Sequence, residues 1–184
     1  KIKEDNIRPI YQDDDLYTIH YDVDGYEAFT SDDDRSNAVV DAALRARKDY
    51  RGSGTPTFFA SADVITDLML AKDKIGRRLY PTMEQLKSAL RVSDIVEVPV
   101  FEGMTRTSTD PDTHVETTHN LLGLIVNLRD YSIGADKGGA VTMFDDFNID
   151  FNKYEYLIET RCSGALVKPA AAVAIEFVDA AAQG

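Results

Sequence analysis

The chain has 184 residues, 43% of them hydrophobic, and carries 32 acidic against 20 basic side chains for a net charge of −12. That length and apolar content fit one domain with a real core and exclude a disordered polymer. The charge excludes a simple nucleic-acid binder, which needs Lys/Arg patches to neutralise phosphates; no apolar run approaches the roughly 20 residues of a membrane helix; and the single cysteine permits no internal disulfide, which favours a reducing compartment.

The chain opens KIKEDNIRPIY, with neither an initiator Met nor the apolar block of a signal peptide, so a segment upstream is expected. LYTIHYDV (16–23) alternates and reads as a strand. Acidic triplets at 13–15 and 32–34 read as solvated loops or helix starts. After the second, Val39, Val40, Ala43 and Leu44 share one helical face, which predicts a helix over 36–50 with Asp34 or Ser36 as its cap and Gly52 at its stop. TPTFFAS (55–61) reads as a short buried strand. A helix follows, capped by Ser61, with Val64, Ile65, Leu68 and Met69 toward a core. Thr82 and Gln85 have capping-box spacing and predict a third helix. DIVEVPVFEG (94–103) alternates, and Pro99 inside it places it at a sheet edge or strand end. The polar stretch RTSTDPDTHVETTH (106–119) reads as an exposed loop, NLLGLIVNLRDYSIG (120–134) as a buried strand, and ADKGG (135–139) as a turn. The remainder is extended, with a fraying tail. Helices and strands interleaved with irregular loops indicate an α+β fold.

Chemical motifs are sparse. An EF-hand loop needs Asp first and Glu twelfth; taking Gly25 as sixth puts His20 and Ser31 there, and both fail. His114 and His119 are five apart in a non-helical context, which misses the H-E-x-x-H arrangement of a zinc-protease helix. No G-x-S-x-G elbow marks a nucleophile. GSG (52–54) and KGG (137–139) lack the length and the G-K-[ST] of a phosphate loop and read as turns. Arg161 sits beside Cys162, and a neighbouring cation can activate a thiol. Adjacent strand residues point to opposite faces, however, so Cys162 is expected inward as a small hydrophobe.

Three segments in order carry a family likeness: RLYPTMEQLKSALRVSDIVEVPV (78–100), DYSIGADKGGAVTMFDDF (130–147) and YLIETRCSGALVKPAAAVAIE (156–176). The first is a helix leading into a strand that ends in Pro. The second is an aromatic strand, an Asp-basic-Gly turn, and then aromatic and acidic residues. In the third, a strand bearing Arg reaches a small-residue turn at Ser163 and Gly164, and Pro169 opens a second apolar strand. Together they resemble the major capsid proteins of tailed phages with the Hong Kong 97-type fold, over the span from Gly54 to Val178.

The resemblance implies a peripheral-type segment at 1–51, with a hairpin or strands and a helix. It implies an axial-type domain at 52–139, then strands at 140–184 that return to the peripheral sheet and end in a frayed tail. The 36–50 helix is too short for that family's spine helix, so an arm and part of the peripheral domain are expected upstream. The implied function is a structural subunit of an icosahedral phage or prophage head, without catalysis, cofactor or metal. Such a subunit self-associates into pentamers and hexamers that enclose DNA without gripping it. Its partners would be copies of itself, with scaffold and portal proteins, assembled in a bacterial host cytoplasm away from membranes. Subunit contacts would come from Asp136 and Lys137 in the ADKGG turn and from Arg161, which pairs with a neighbour's carboxylate or with Glu159 on its own strand. Two alternatives stand beside this reading: an encapsulin-like compartment shell, and an enzyme with an acidic metal site at 13–15 or at Asp145 and Asp146.

Overall fold

The computed structural model describes residues 8–13, 16–112, 114–135, 142–148, 150–159 and 162–178. After a helical turn at 8–11, the order is β1 (Thr18–Asp22), α1 (Asp32–Ala46), β2 (Thr57–Ala60), α2 (Ala62–Leu70), α3 (Met83–Leu90), β3 (Ile95–Glu97), β4 (Thr105–Thr109) and β5 (Glu116–Val126). Then come β6 (Tyr131–Ala135), β7 (Thr142–Asn148), β8 (Lys153–Glu159), β9 (Cys162–Leu166) and β10 (Ala172–Val178). The fold is α+β.

Local chemistry accounts for the helices. The Ser61 hydroxyl accepts from the Val64 N–H at 3.4 Å, and the Thr82 hydroxyl accepts from Gln85 N–H at 3.4 Å, so both predicted caps are formed. Helix α1 starts earlier than its apolar periodicity indicates. Ser31 is the cap position, and Asp32, Asp33 and Asp34 form the first turn, where carboxylates face the positive end of the helix dipole. It also stops at Ala46, before Gly52. Ser61→Ala is expected to lower unfolding free energy by about 1 kcal/mol, because one helix-start N–H loses its acceptor; urea denaturation reads this directly.

A six-stranded sheet organises the body, in the order β1-β10-β5-β2-β3, with β4 also on β5. Strands β1 and β10 run parallel, as do β2 and β3; β5 is antiparallel to β10, β2 and β4. Strand β1 lies within residues 1–51, β2 to β5 within 52–139, and β10 within 140–184, so one sheet draws on all three segments. The apolar alternation of the central strands fills both faces. One face packs under the three helices through Phe58, Leu122, Ile125, Val173 and Ile175. The other packs Phe59, Leu121, Leu124, Ala172 and Ala174 beneath Ile10, Tyr11 and Phe101. Strand β3 is the edge strand that Pro99 predicted, and a 3-10 turn begins at that proline.

Two sequence expectations are corrected. The 106–119 stretch is not an exposed loop: β4 and the start of β5 form a hairpin through it, with Arg106 opposite His119 and Ser108 opposite Thr117. Alternating exposed and half-exposed Thr, Arg and Ser give this strand a polar composition that hides its period of two. Second, Ser163 and Gly164 are not a turn. They lie within β9, paired with Gly134 and Ile133 on β6. A Cβ at Gly164 would fall 2.4 Å from the Tyr131 ring, so this glycine is the space across which the tyrosine lies. The actual turn follows β9, with Ala170 in the left-handed region at φ 54°.

Strands β6 and β9 pair, and β7 and β8, which lie between them in sequence, form a second antiparallel pair. The base of the β6–β9 pair is tied down by Asp130. Its carboxylate accepts from the Ser53 hydroxyl at 2.6 Å and from the Ser53 backbone N–H, and it pairs with Lys168 at 3.4 Å. Lys168 also donates to the Ser53 hydroxyl, and the Asn127 side-chain amide donates to the Ser53 carbonyl at 2.6 Å. The GSG segment is thus a turn, as expected, and this network clamps it to both ends of the β6–β9 pair. Burial works against the charge on Asp130, but the Ser53 and Lys168 hydrogen bonds prevail and hold its carboxyl below the usual range.

Candidate functional site

Glu176 is the one carboxylate inside the apolar run of β10, and it is fully buried. Its neighbours come from three other strands. Arg106 on β4 donates to its Oε1 at 2.7 Å. His20 on β1 places Nδ1 3.4 Å from Oε2, and His119 on β5 places Nδ1 3.5 Å from Oε1. Asp22, paired with Glu176 across β1 and β10, accepts at Oδ1 from His119 Nδ1 at 2.9 Å. Beyond these, His119 Nε2 is 2.8 Å from the Ser108 hydroxyl, His20 Nε2 is 3.0 Å from the Asp13 carbonyl, and Tyr11 donates to the His119 carbonyl at 3.3 Å.

A β-bulge assembles this cluster. Along β10, Ile175 faces Gly123 but Glu176 faces Leu121, so β5 carries an extra residue at Leu122. One extra residue exchanges the two faces of a strand. Leu124 and Val126 point to the face opposite the helices, and the bulge returns Leu121 to that same face. His119, two residues further, therefore joins Glu176 rather than the helices.

The electrostatics follow from burial and partners. Desolvation alone would raise the Glu176 pKa, but the interactions with His20 and Arg106 outweigh it and bring the carboxyl down to about 2. The Tyr11 hydroxyl is pushed well above its ordinary range, first by burial and then by the Glu176 charge. The site therefore holds a buried anion countered by one guanidinium and flanked by two imidazoles.

The sequence did not single out Arg106, Glu176 or His20 as a set. One signal was present: a charged residue within an otherwise apolar strand. His114 and His119 do not come together; His114 is exposed with φ 54°, while His119 is buried. Asp136, Lys137, Arg161 and the KGG turn lie outside the described residues, as does the orientation expected for Cys162. Asp145 is exposed on β7.

The second notable surface is the β7–β8 ribbon. Pairing sets Phe147 opposite Tyr154 and Asp145 opposite Tyr156, so Met143, Phe147, Tyr154 and Tyr156 share one face with the Asp145 carboxylate among them. The Phe147 and Tyr154 rings are 5.1 Å apart, and all four side chains are exposed, by 43–64%. A two-stranded hairpin with such a face is marginal in water by itself, and contiguous apolar exposure marks interaction surfaces.

Solved structures with this fold are known. The chain is similar to a virus-like particle protein from Pyrococcus furiosus, with TM-score 0.53 and 14% identity over 94% of this chain and 62% of that one. It is also similar to a phage-related protein from Bordetella bronchiseptica RB50, with TM-score 0.50 and 15% identity over 90% of this chain and 57% of that one. The chain spans less than two thirds of the length of either. At these identities the likeness is one of fold, and the fold is capsid-like. No family model and no curated protein matches the sequence. No described helix is long and apolar enough to cross a membrane.

Proposed function

We propose that the protein is a structural subunit of a particle shell of the Hong Kong 97 type, acting by self-association. The observation that carries this reading is the capsid-like fold, which extends over nearly the whole chain. The exposed aromatic ribbon supports it, because a shell subunit needs an extension that is stable only when a neighbour covers it. In this reading the sheet and three helices form the axial-type body, and the two strand pairs at 131–166 reach toward the next subunit as part of the peripheral-type region. Head-to-tail contacts of this kind close into rings, here pentamers and hexamers. Asp136, Lys137 and Arg161 remain the proposed contact residues. The charge of −12 is compatible with a wall that encloses nucleic acid without holding it. The catalytic alternative has no support from Asp145, which is solvent-exposed on the ribbon.

Electron microscopy and mass photometry of the full-length gene product test the reading. Rings of five and six, or closed shells, are expected; monomers alone at high concentration overturn it. Nucleic acid inside purified shells identifies a phage or prophage head, whereas a protein cargo identifies an encapsulin-like compartment.

A further inference from the structure

The geometry points to a zinc-class divalent cation site formed by His20, His119, Asp22 and Glu176, joining β1, β5 and β10. The donor atoms of Asp22, His119 and Glu176 all lie within 4.8 Å of one another. His119 Nδ1 is 2.9 Å from Asp22 Oδ1, and His20 Nδ1 is 3.4 Å from Glu176 Oε2. Ligands held at 2.0–2.1 Å around a tetrahedral cation stand about 3.3 Å apart, so these contacts need only small shifts.

A second observation is independent of that spacing. His20 Nδ1 and Glu176 Oε2 are both buried, and neither meets hydrogen-bond geometry with a partner among the described residues, although they face each other at 3.4 Å. The Asp13 carbonyl can only accept, so His20 Nε2 carries a hydrogen. With His20 neutral, Nδ1 turns a lone pair toward a carboxylate oxygen; with His20 protonated, Nδ1 faces that oxygen as an imidazolium donor. Two buried acceptors do not sit face to face without a cation or a proton between them.

The outer contacts fit as well. Metal-bound imidazoles present one nitrogen to the ion and donate the other N–H to a fixed acceptor. Here both imidazoles turn Nδ1 inward. Their Nε2 atoms are held outside, by the Asp13 carbonyl for His20 and by the Ser108 hydroxyl for His119; on metal binding the His119 ring hydrogen moves from Nδ1, where it reaches Asp22, to Nε2, where the Ser108 oxygen accepts it. Arg106 binds Glu176 at Oε1 and leaves Oε2 for the ion. Asp22 is the exposed member, so the ion enters from its side. Two nitrogens with two carboxylates suit Zn²⁺ and its first-row neighbours; Ca²⁺ and Mg²⁺ prefer oxygen alone. The site would pin the two central strands and β1 together, independently of any subunit contact.

The test uses the intact chain, stripped with EDTA and dialysed. Zn²⁺, Mg²⁺ and Ca²⁺ are then titrated singly by calorimetry at neutral pH, with a thermal melt at each end point. One Zn²⁺ per chain and a raised Tm are expected, with no comparable response to Mg²⁺ or Ca²⁺. His20→Gln and His119→Gln should each weaken zinc at least tenfold, while His114→Gln, at an exposed position, should not. If either variant fails to fold, the visible spectrum of Co²⁺ added to the wild-type chain decides. A low-coordinate nitrogen/oxygen spectrum upholds the site, and the spectrum of the free aquo ion refutes it. Absence of saturable zinc binding, or zinc affinity unchanged in folded His20→Gln and His119→Gln chains, overturns the inference and leaves a proton in the ion's place.

Discussion

Arg106→Met is expected to destabilise the protein by about 3–5 kcal/mol, among the largest losses available to a single substitution. The reason is the state of Glu176. Its side chain has no exposed surface, and among the described residues Arg106 is the guanidinium that donates to it. Methionine keeps the bulk of the arginine stem but leaves a buried carboxylate without its guanidinium partner. The double change Arg106→Met with Glu176→Gln should lose clearly less than the two single losses added, because the uncompensated charge has gone. Urea denaturation of the four proteins in EDTA measures the coupling, and purely additive losses would refute the pairing.

The same pair sets the acid response. The folded-state pKa of Glu176, about 2, is depressed from the ordinary 4.5. A group of this kind contributes stability that is fully present above its unfolded pKa. The contribution is lost as pH falls through the folded pKa. The gap corresponds to about 3 kcal/mol, disappearing between pH 4.5 and about 2. Asp130, whose carboxyl is also held low, adds to the loss in the same direction. In Arg106→Met part of the Glu176 contribution is already missing at neutral pH, while His20 still holds the carboxyl low, so stability should fall somewhat less steeply on acidification over that window.

Phe58→Ala is expected to cost about 3–5 kcal/mol, since the ring is fully buried under the helices and its removal leaves a cavity. Gly123→Ala should cost about 1–3 kcal/mol for the opposite reason: the new methyl would lie 2.4 Å from that ring, in a core with no room to move it. At the bulge, Leu122 packs against the helices, and a Cβ on Gly123 would point the same way, so only one of the two positions has space for a side chain. The two losses must therefore be non-additive. Once Phe58 is alanine, Gly123→Ala should become nearly neutral or partly fill the gap. A double-mutant cycle by thermal or chemical denaturation checks this, and additive losses would mean that the ring and the glycine do not share space.

Interactions that close within a few residues could be read along the chain. Ser61 and Thr82 cap helices because a short side chain reaches an N–H three residues on, whatever the rest of the fold does. The apolar periodicity that assigned Ile65 and Leu68 to a core holds for the same reason, as both are buried. The start of α1 was partly legible: the 32–34 triplet reads as a loop or as a first helical turn, and its placement at the positive end of the dipole selects the second. Strand β4 was not legible. TRTST becomes a strand by pairing with β5 across the hairpin, from Thr109 with Glu116 out to Thr105 with Asn120, and its outer face is polar. Ser163 and Gly164 have turn composition, and their strand is explained only by the Tyr131 ring lying across the glycine.

Residue order alone determined an α+β chain with one sizeable core, an acidic surface and capped helices, because composition, periodicity and caps act locally. Tertiary structure alone decided that Glu176, Arg106, His20, His119 and Asp22 meet. Their positions run from 20 to 176, four strands bring them together, and the placement of His119 depends on one extra residue at Leu122. A side chain's face is a property of strand pairing, and a single bulge reverses it without leaving a mark in composition.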